Sequence, residues 1–160
     1  MKDSTPGLCF ARILISSPPD ASAWVTGNQS FPELSGSVKF YFTPHGGTLV
    51  MAEFFGLPDD SAPDSSAFYG MHIHETGNCT PPFENTGNHY NPSDQQHPYH
   101  AGDLVPLLGN QGYAWTAFFD KRIEIPGIIG RSVVVHRLPD DFSTQPSGSS
   151  GMKIACGVIR

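Results

Sequence analysis

Charged side chains are scarce in this sequence: aspartate, glutamate, lysine and arginine together make up 15% of its 160 residues. Only nine residues are lysine or arginine, and the formal net charge is -6. Nucleic acids and anionic membrane surfaces attract proteins through clustered basic residues. The composition therefore argues against nucleic acid and against a membrane surface as partners.

Long apolar runs are also missing. No stretch approaches the roughly 18 consecutive apolar residues that a membrane-spanning helix needs. Residues 1–10 lack the basic region followed by an apolar stretch that is typical of a secretion signal. We therefore expect a cytoplasmic protein if Met1 is the native start, and a secreted or extracytoplasmic protein if a leader has been removed.

Cysteine is limited to three residues, Cys9, Cys79 and Cys156, so at most one disulfide can form within the chain. None of the three lies in a C-x-x-C arrangement. A zinc knuckle built from thiolates and a thioredoxin-type redox pair are both unsupported.

Glycine (17) and proline (15) are abundant, and helical periodicity nowhere exceeds one turn. Short segments rich in β-branched and aromatic residues are bounded by turn-forming residues, a pattern that is typical of strands. The predicted strands are 8–15, 36–43, 48–55, 69–75, 112–120, 131–138 and 152–159. The length fits one domain, 1–160, and the pattern predicts an all-β antiparallel sandwich or flattened barrel.

Alternation is clearest in the second predicted strand, where Val38, Phe40 and Phe42 share one face and are expected in the core. A hairpin is expected next, because residues 44–47 read Pro-His-Gly-Gly and glycine accepts positive φ without steric cost.

Histidine is unusually clustered: five of the seven histidines fall between His72 and His100. His72 and His74 alternate in a predicted strand, so both side chains leave the same face and could bind one metal. A solvated strand face is the alternative for this pair.

A long segment, 76–111, does not follow the strand pattern and contains four further candidate ligands, His89, His97, His100 and Asp103. A loop of this length is normally functional or disordered. Three imidazoles and one carboxylate complete a tetrahedral zinc shell and leave no open position for a water nucleophile, which disfavours a zinc hydrolase. The alternative is a polar surface loop that happens to be rich in histidine. A second loop, 140–151, is expected to flank the same site.

Five motifs resemble those of the copper-zinc superoxide dismutases, in the order that this family has them. They are GMHIHE at 70–75, GNHYNP at 87–92, HAGDL at 100–104, GRSVVVH at 130–136 and GMKIACGVI at 151–159. The likeness runs from about Gly36 to the C-terminus.

The resemblance implies a Greek-key β-sandwich with a long metal-binding loop, and dismutation of superoxide to O2 and hydrogen peroxide. A non-enzymatic copper- or zinc-binding module on the same fold is the alternative. The implied copper ligands are His72, His74, His89 and His136. The implied zinc ligands are His89, His97, His100 and Asp103. His89 would bridge the two metals, and His45 is left as an exposed turn residue.

Further roles follow from the resemblance. Copper in a shell of imidazoles with one detachable ligand suits a redox cycle, and His89 would be that catalytic ligand. The resemblance also implies a disulfide between Cys79 and Cys156, which leaves Cys9 as a small buried residue of the first strand. The resemblance further implies that Asp140 hydrogen-bonds His72 and His97. The alternative for Asp140 is an exposed loop acid like its neighbour Asp141.

The chain departs from the family at Lys153, where an arginine normally lies near the copper. Lysine keeps the positive charge that would attract superoxide but lacks the planar fork of donors. The loop between His136 and Lys153 is shorter than in the dimeric eukaryotic enzymes and has no lysine or glutamate between residues 141 and 151. We therefore expect weaker electrostatic guidance. A homodimer is compatible with the resemblance, but the sequence leaves the oligomeric state open.

Overall fold

The structure, a computed structural model, describes residues 5–58 and 66–160. Met1, on which the prediction of the compartment depends, lies outside the described residues. The elements are α1 (Pro6–Ser16), β1 (Ala21–Gly27), β2 (Ser35–Phe42), β3 (Thr48–Phe55), β4 (Phe68–Tyr69), β5 (Met71–His74), a 3-10 turn (Glu84–Thr86), β6 (Leu107–Leu108), β7 (Ala114–Asp120), α2 (Ile125–Ile128), β8 (Ser132–His136) and β9 (Lys153–Val158).

Seven strands form one curled antiparallel sheet in the order β5-β8-β9-β1-β2-β3-β7, and β4 pairs with β6 in a small second sheet. Strands β3 and β5 therefore lie near opposite ends of the large sheet, and so do β7 and β8. The inner face of the curled sheet carries the apolar core, which includes Val25, Phe40, Phe54 and Val135. The predicted all-β sandwich or flattened barrel is confirmed.

The predicted hairpin is confirmed: β2 and β3 pair from Ser35 opposite Phe55 to Phe42 opposite Thr48. Two glycines in its turn, Gly46 and Gly47, take positive φ values of 69° and 75°.

The predicted core face of β2 is partly wrong. Val38 and Phe40 are buried, but Phe42 is 55% exposed and its neighbour Tyr41 is buried instead. Phe42 lies at the end of its strand, beyond the core. Tyr41 points to the outer face, which is covered at this point.

Helix α1 packs on this outer face through Phe10, and it replaces the strand predicted at 8–15, which is wrong. The helix begins at Pro6 in its first turn, where proline costs no hydrogen bond. Its half-buried residues lie close together on one side of the helix; they are Cys9, Phe10, Ile13 and Leu14. Phe10 stacks on Phe119 of β7 with ring centroids 4.8 Å apart. Cys9 is therefore a half-buried free thiol on a helix, not a buried residue of the first strand.

The first strand of the sheet is β1, which the sequence analysis missed. It buries Ala21, Ala23 and Val25 on alternate positions. The small alanines of β1 give a weaker apolar pattern than the segment 8–15, so the pattern alone does not predict this strand.

The disulfide between Cys79 and Cys156 is confirmed, with Cα atoms 5.6 Å apart and a sequence separation of 77. It ties the long loop after β5 to β9. Closing a loop of this size stabilises the folded state by about 4 kcal/mol in the chain-entropy model. Within the described residues, no helix has both the length and the apolar character required to cross a membrane.

Candidate metal centre

The site begins on β5, where the side chains alternate between two environments. Met71 and Ile73 point into the core, whereas His72 and His74 point to the opposite face. Both histidines are nevertheless buried, with 0% and 2% of their surface exposed. The alternative of a solvated strand face is therefore wrong, because the two long loops cover this face.

His136 reaches the same place from the neighbouring strand. Strand β8 pairs with β5, and the backbone N–H of His136 donates to the carbonyl of Gly70. The pairing of β8 with β9 shifts register between Val135 and His136. Such a bulge is a common device for re-aiming a side chain beside a functional site.

The predicted ligands come together in two groups, and within each group one potential ligand atom per residue lies within 4.8 Å of the others. The first group is His72, His74, His89 and His136. The second group is His89, His97, His100 and Asp103. Every member is buried, so the alternative of a polar surface loop is wrong as well.

Hydrogen bonds orient the rings of the first group. His74 Nδ1 lies 2.9 Å from the Gly87 carbonyl, and His136 Nδ1 lies 3.1 Å from the Gly151 carbonyl. Each Nδ1 must carry its proton to donate there, which leaves a lone pair on Nε2. These two Nε2 atoms face one another at 3.2 Å. Nitrogens aimed at a common point in this way fit a metal that prefers imidazole, such as copper.

His89 presents one ring nitrogen to each group. Its Nδ1 lies 2.7 Å from Asp103 Oδ1, while its buried Nε2 has no hydrogen-bond partner among the described residues. His97 Nδ1 and His100 Nδ1 lie 3.1 and 3.2 Å from Asp103 Oδ2, without hydrogen-bond geometry. Buried polar atoms that converge without donating to each other fit a bound cation. Three imidazoles and a carboxylate are a donor set for zinc.

Asp140 links the two groups from behind. Its Oδ2 accepts from His72 Nε2 and its Oδ1 accepts from His97 Nε2, both at 2.8 Å. Asp140 is buried, so it is not an exposed loop acid like Asp141. Burial alone would raise the pKa of Asp140, but the hydrogen bonds from the two imidazoles and from a backbone N–H outweigh it and lower the pKa. The carboxylate thus fixes both tautomers and leaves Nδ1 of each ring free to bind a metal.

Burial also favours the neutral form of three histidines of the first group, His72, His74 and His136. Desolvation lowers the pKa of His72 to about 4, although the hydrogen bond to Asp140 opposes the shift. Desolvation and the nearby histidines lower the pKa of His136 to about 3. The pKa of His74 falls well below its ordinary value for the same reasons. Metal ligation requires neutral imidazole, so these three rings are in the form that binds a metal at neutral pH.

A cavity of about 520 Å³ opens onto these groups, and both long loops line it. Its charged rim residues are Glu75, Asp94 and Lys153. The Lys153 ammonium lies 3.0 Å from Thr86 Oγ1 and 3.4 and 3.5 Å from two backbone carbonyls. This places the predicted guiding lysine beside the metal ligands that face the cavity.

Three residues with contacts to the site were missed by the sequence analysis. Thr86 is fully buried and holds Lys153. Gln145 pairs its carboxamide with both the N–H and the carbonyl of His97. Arg122 contacts the backbone of the zinc-binding segment. None of them lies in one of the five motifs, so only the fold reveals their contacts.

Comparisons with known proteins agree with this geometry. The family model of copper/zinc superoxide dismutase (SODC) matches residues 34–159. The chain is 34% identical over 155 residues to superoxide dismutase [Cu-Zn] 3 of Arabidopsis thaliana, covering 87% of this chain and 88% of the relative.

Two solved structures share the fold. A double mutant of a SOD-like protein from Bacillus subtilis has a TM-score of 0.74 at 27% identity, with 86% of this chain and 95% of that chain covered. The clock protein EA4 has a TM-score of 0.73 at 30% identity, with coverages of 88% and 94%. The match over most of its length, together with the two ligand groups, means that this chain belongs to the copper/zinc superoxide dismutase family.

Proposed function

We propose that the chain binds one copper and one zinc and converts two superoxide ions and two protons into O2 and hydrogen peroxide. The observation that carries the proposal is the shared residue: His89 belongs to both buried ligand groups and turns a different ring nitrogen to each. Each group contains four potential ligands, and His89 belongs to both. This sharing supports two adjacent metals bridged by one imidazole more strongly than either group would alone.

Bound copper would supply one-electron redox chemistry, and bound zinc would supply a fixed, redox-silent positive charge. His89 Nε2, which has no hydrogen-bond partner among the described residues, would hold a proton and pass it to the reduced substrate. His74 and His136 would help to hold copper, and backbone carbonyls fix the orientation of both rings. Lys153 draws the anion into the cavity, and Asp140 keeps the rings behind His89 in their binding tautomers.

A non-enzymatic metal-binding module is the second candidate. Two observations favour it: lysine replaces the family's arginine, and two solved relatives are described as a SOD-like protein and a clock protein. This candidate predicts full metal binding without consumption of superoxide. The enzyme is the stronger proposal because all four copper-group histidines are present, buried and oriented.

Metal analysis of the purified, fully loaded protein tests the ligand assignment. We expect one copper and one zinc per chain. His136→Ala should remove copper and leave zinc, since His136 belongs only to the first group. His45→Ala, at the exposed turn, is the control and should retain both metals. Loss of zinc together with copper in His136→Ala would contradict the proposed partition of ligands.

A further inference from the structure

Arg122 follows β7 and uses all of its donor groups. Nε donates to both carboxylate oxygens of Asp120 at 3.1 Å, and one Nη also donates to Asp120. The remaining N–H groups donate to three backbone carbonyls: Pro98 and His100 at 3.0 Å and Asp103 at 2.9 Å. The planar guanidinium therefore joins β7 to one short segment of the long loop.

That segment, 97–103, carries three of the four proposed zinc ligands. Two of the carbonyls held by Arg122 belong to His100 and Asp103, which are ligands themselves. The guanidinium donates only to backbone carbonyls of the segment, whereas the proposed zinc ligands are side-chain atoms of the same segment. Three acceptors on a rigid planar donor fix the curvature of the segment.

The anchor of this contact is part of the sheet. Asp120 ends β7 and pairs with Thr48 of β3. The buried hydroxyl of Thr48 donates to the carbonyl of Ile123 at 2.8 Å, which holds the chain just after Arg122. The guanidinium thus holds the loop segment at a fixed position relative to β7, the edge strand of the large sheet.

The ligand atoms would not converge without such support. In the described part of the chain, the buried Nδ1 atoms of His97 and His100 lack hydrogen-bond partners, although both lie close to Asp103. Burying polar atoms without partners is unfavourable. If the backbone of segment 97–103 could move, the two imidazoles would rotate to form hydrogen bonds elsewhere. Residues outside the segment must therefore hold its backbone in place. Gln145 holds one end at His97, and backbone hydrogen bonds to Ile73 and Tyr90 hold Gly102. Arg122 holds the three carbonyls of this segment that it contacts.

We propose that Arg122 is a positioning residue that presets the zinc-binding segment before the metal arrives. The inference rests on the proposed zinc site and assigns a role to a residue outside the ligand set. Removal of a partner that orients ligands typically weakens metal affinity 10- to 100-fold. Arg122→Met should therefore bind zinc about 10-fold more weakly than the original protein. Arg122→Lys keeps the charge but lacks the planar fork and should recover the affinity only in part.

The matched control is Lys121→Met, which removes one positive charge from the adjacent exposed position. Zinc affinity is measured on the disulfide-bonded, metal-free protein by competition with a chromogenic chelator. Cobalt(II) in the zinc site supplies a second readout, because the intensity of its visible absorption reports tetrahedral geometry. Both readouts are independent of superoxide consumption. We expect Arg122→Met to weaken affinity and reduce the cobalt absorption, and Lys121→Met to change neither.

A second variant, Asp120→Asn, keeps Arg122 but weakens its anchor, and should shift zinc affinity in the same direction by a smaller factor. If Arg122→Met fails to fold, the zinc affinity of Asp120→Asn tests the proposed role of Arg122 instead. The inference is overturned if the original protein binds zinc and every folded variant at these two positions matches it within twofold, even where melting temperatures fall. If the original protein itself takes up no zinc, the proposed function fails instead.

Discussion

At the scale of single residues, Lys153 shows how one substitution changes the chemistry of a site. Its ammonium has three protons, and three oxygen atoms lie within 3.5 Å of it: Thr86 Oγ1 and the carbonyls of Phe83 and Gly87. The protons are thus directed to the protein. We infer that Lys153 acts on an incoming anion through its charge more than through a directed hydrogen bond.

If Lys153 acts through its charge, the rate constants of Lys153 variants should depend on ionic strength. Lys153→Glu should lower the bimolecular rate constant with superoxide roughly 10-fold at low ionic strength, because the net charge of -6 otherwise repels the anion. Lys153→Arg should equal or exceed the original rate. The difference should narrow as added salt shortens the screening length. Pulse radiolysis measures these rates, and three identical rates with identical salt slopes would show that Lys153 is an ordinary surface lysine.

The ligands could be identified from sequence because the motifs that carry them are local. His72 and His74 lie two residues apart, and His97, His100 and Asp103 are spaced by threes. The supporting residues form no local pattern. Lys153 and Thr86 are 67 residues apart, and Gln145 and His97 are 48 apart. Contacts between distant segments depend on how the loops fold over the sheet, which no short pattern records.

At the scale of elements, α1 is the largest difference between prediction and structure. Its segment is rich in leucine and isoleucine, which suit a strand as well as a helix, and short apolar runs are ambiguous on this point. In the structure the segment is a helix, and its half-buried side packs on the outer face of the sheet. The outer face of the sheet carries a row formed by Tyr41, Leu49 and Phe119, and Phe10 of α1 stacks on it.

The helix should therefore stabilise the fold without touching the metal centre. Phe10→Ala removes the stacked ring and should lower the free energy of unfolding by about 1–2 kcal/mol. In a domain of this size that corresponds to a fall in melting temperature of about 2–8 °C. Leu8→Ala, on the exposed side of α1, should change the melting temperature little. Equal melting temperatures for Phe10→Ala and the original protein would show that α1 adds no stability, and metal content should be unchanged in both variants.

At the scale of the whole molecule, the metal centre couples stability to pH. His72 and His136 have pKa values of about 4 and about 3 in the folded chain, against an ordinary value of 6.5. Between pH 6.5 and these values the unfolded chain binds protons that the folded chain does not. The contribution of these two histidines to the stability of the metal-free protein is therefore fully present above pH 6.5 and is lost as pH falls toward 3.

The size of this effect is measurable by chemical denaturation of the metal-free protein at several pH values. Each such histidine contributes a slope of up to about 1.4 kcal/mol per pH unit within its window. Asp103 and Asp140, whose pKa values are lowered, add to the loss below about pH 4. His45→Gln, at the exposed turn, should leave the profile unchanged. A stability that is flat between pH 7 and pH 5 would contradict the neutral, buried state of these rings.

We propose that the two candidate ligand groups, which share His89, hold a copper-zinc pair that dismutates superoxide. The most direct measurement is the rate of superoxide consumption by protein loaded with one copper and one zinc per chain, compared with metal-free protein and with His136→Ala. We predict rapid, second-order consumption by the loaded protein and none above background by the other two. If the fully loaded protein does not consume superoxide, the proposed dismutase activity is wrong and the chain is a metal-binding module.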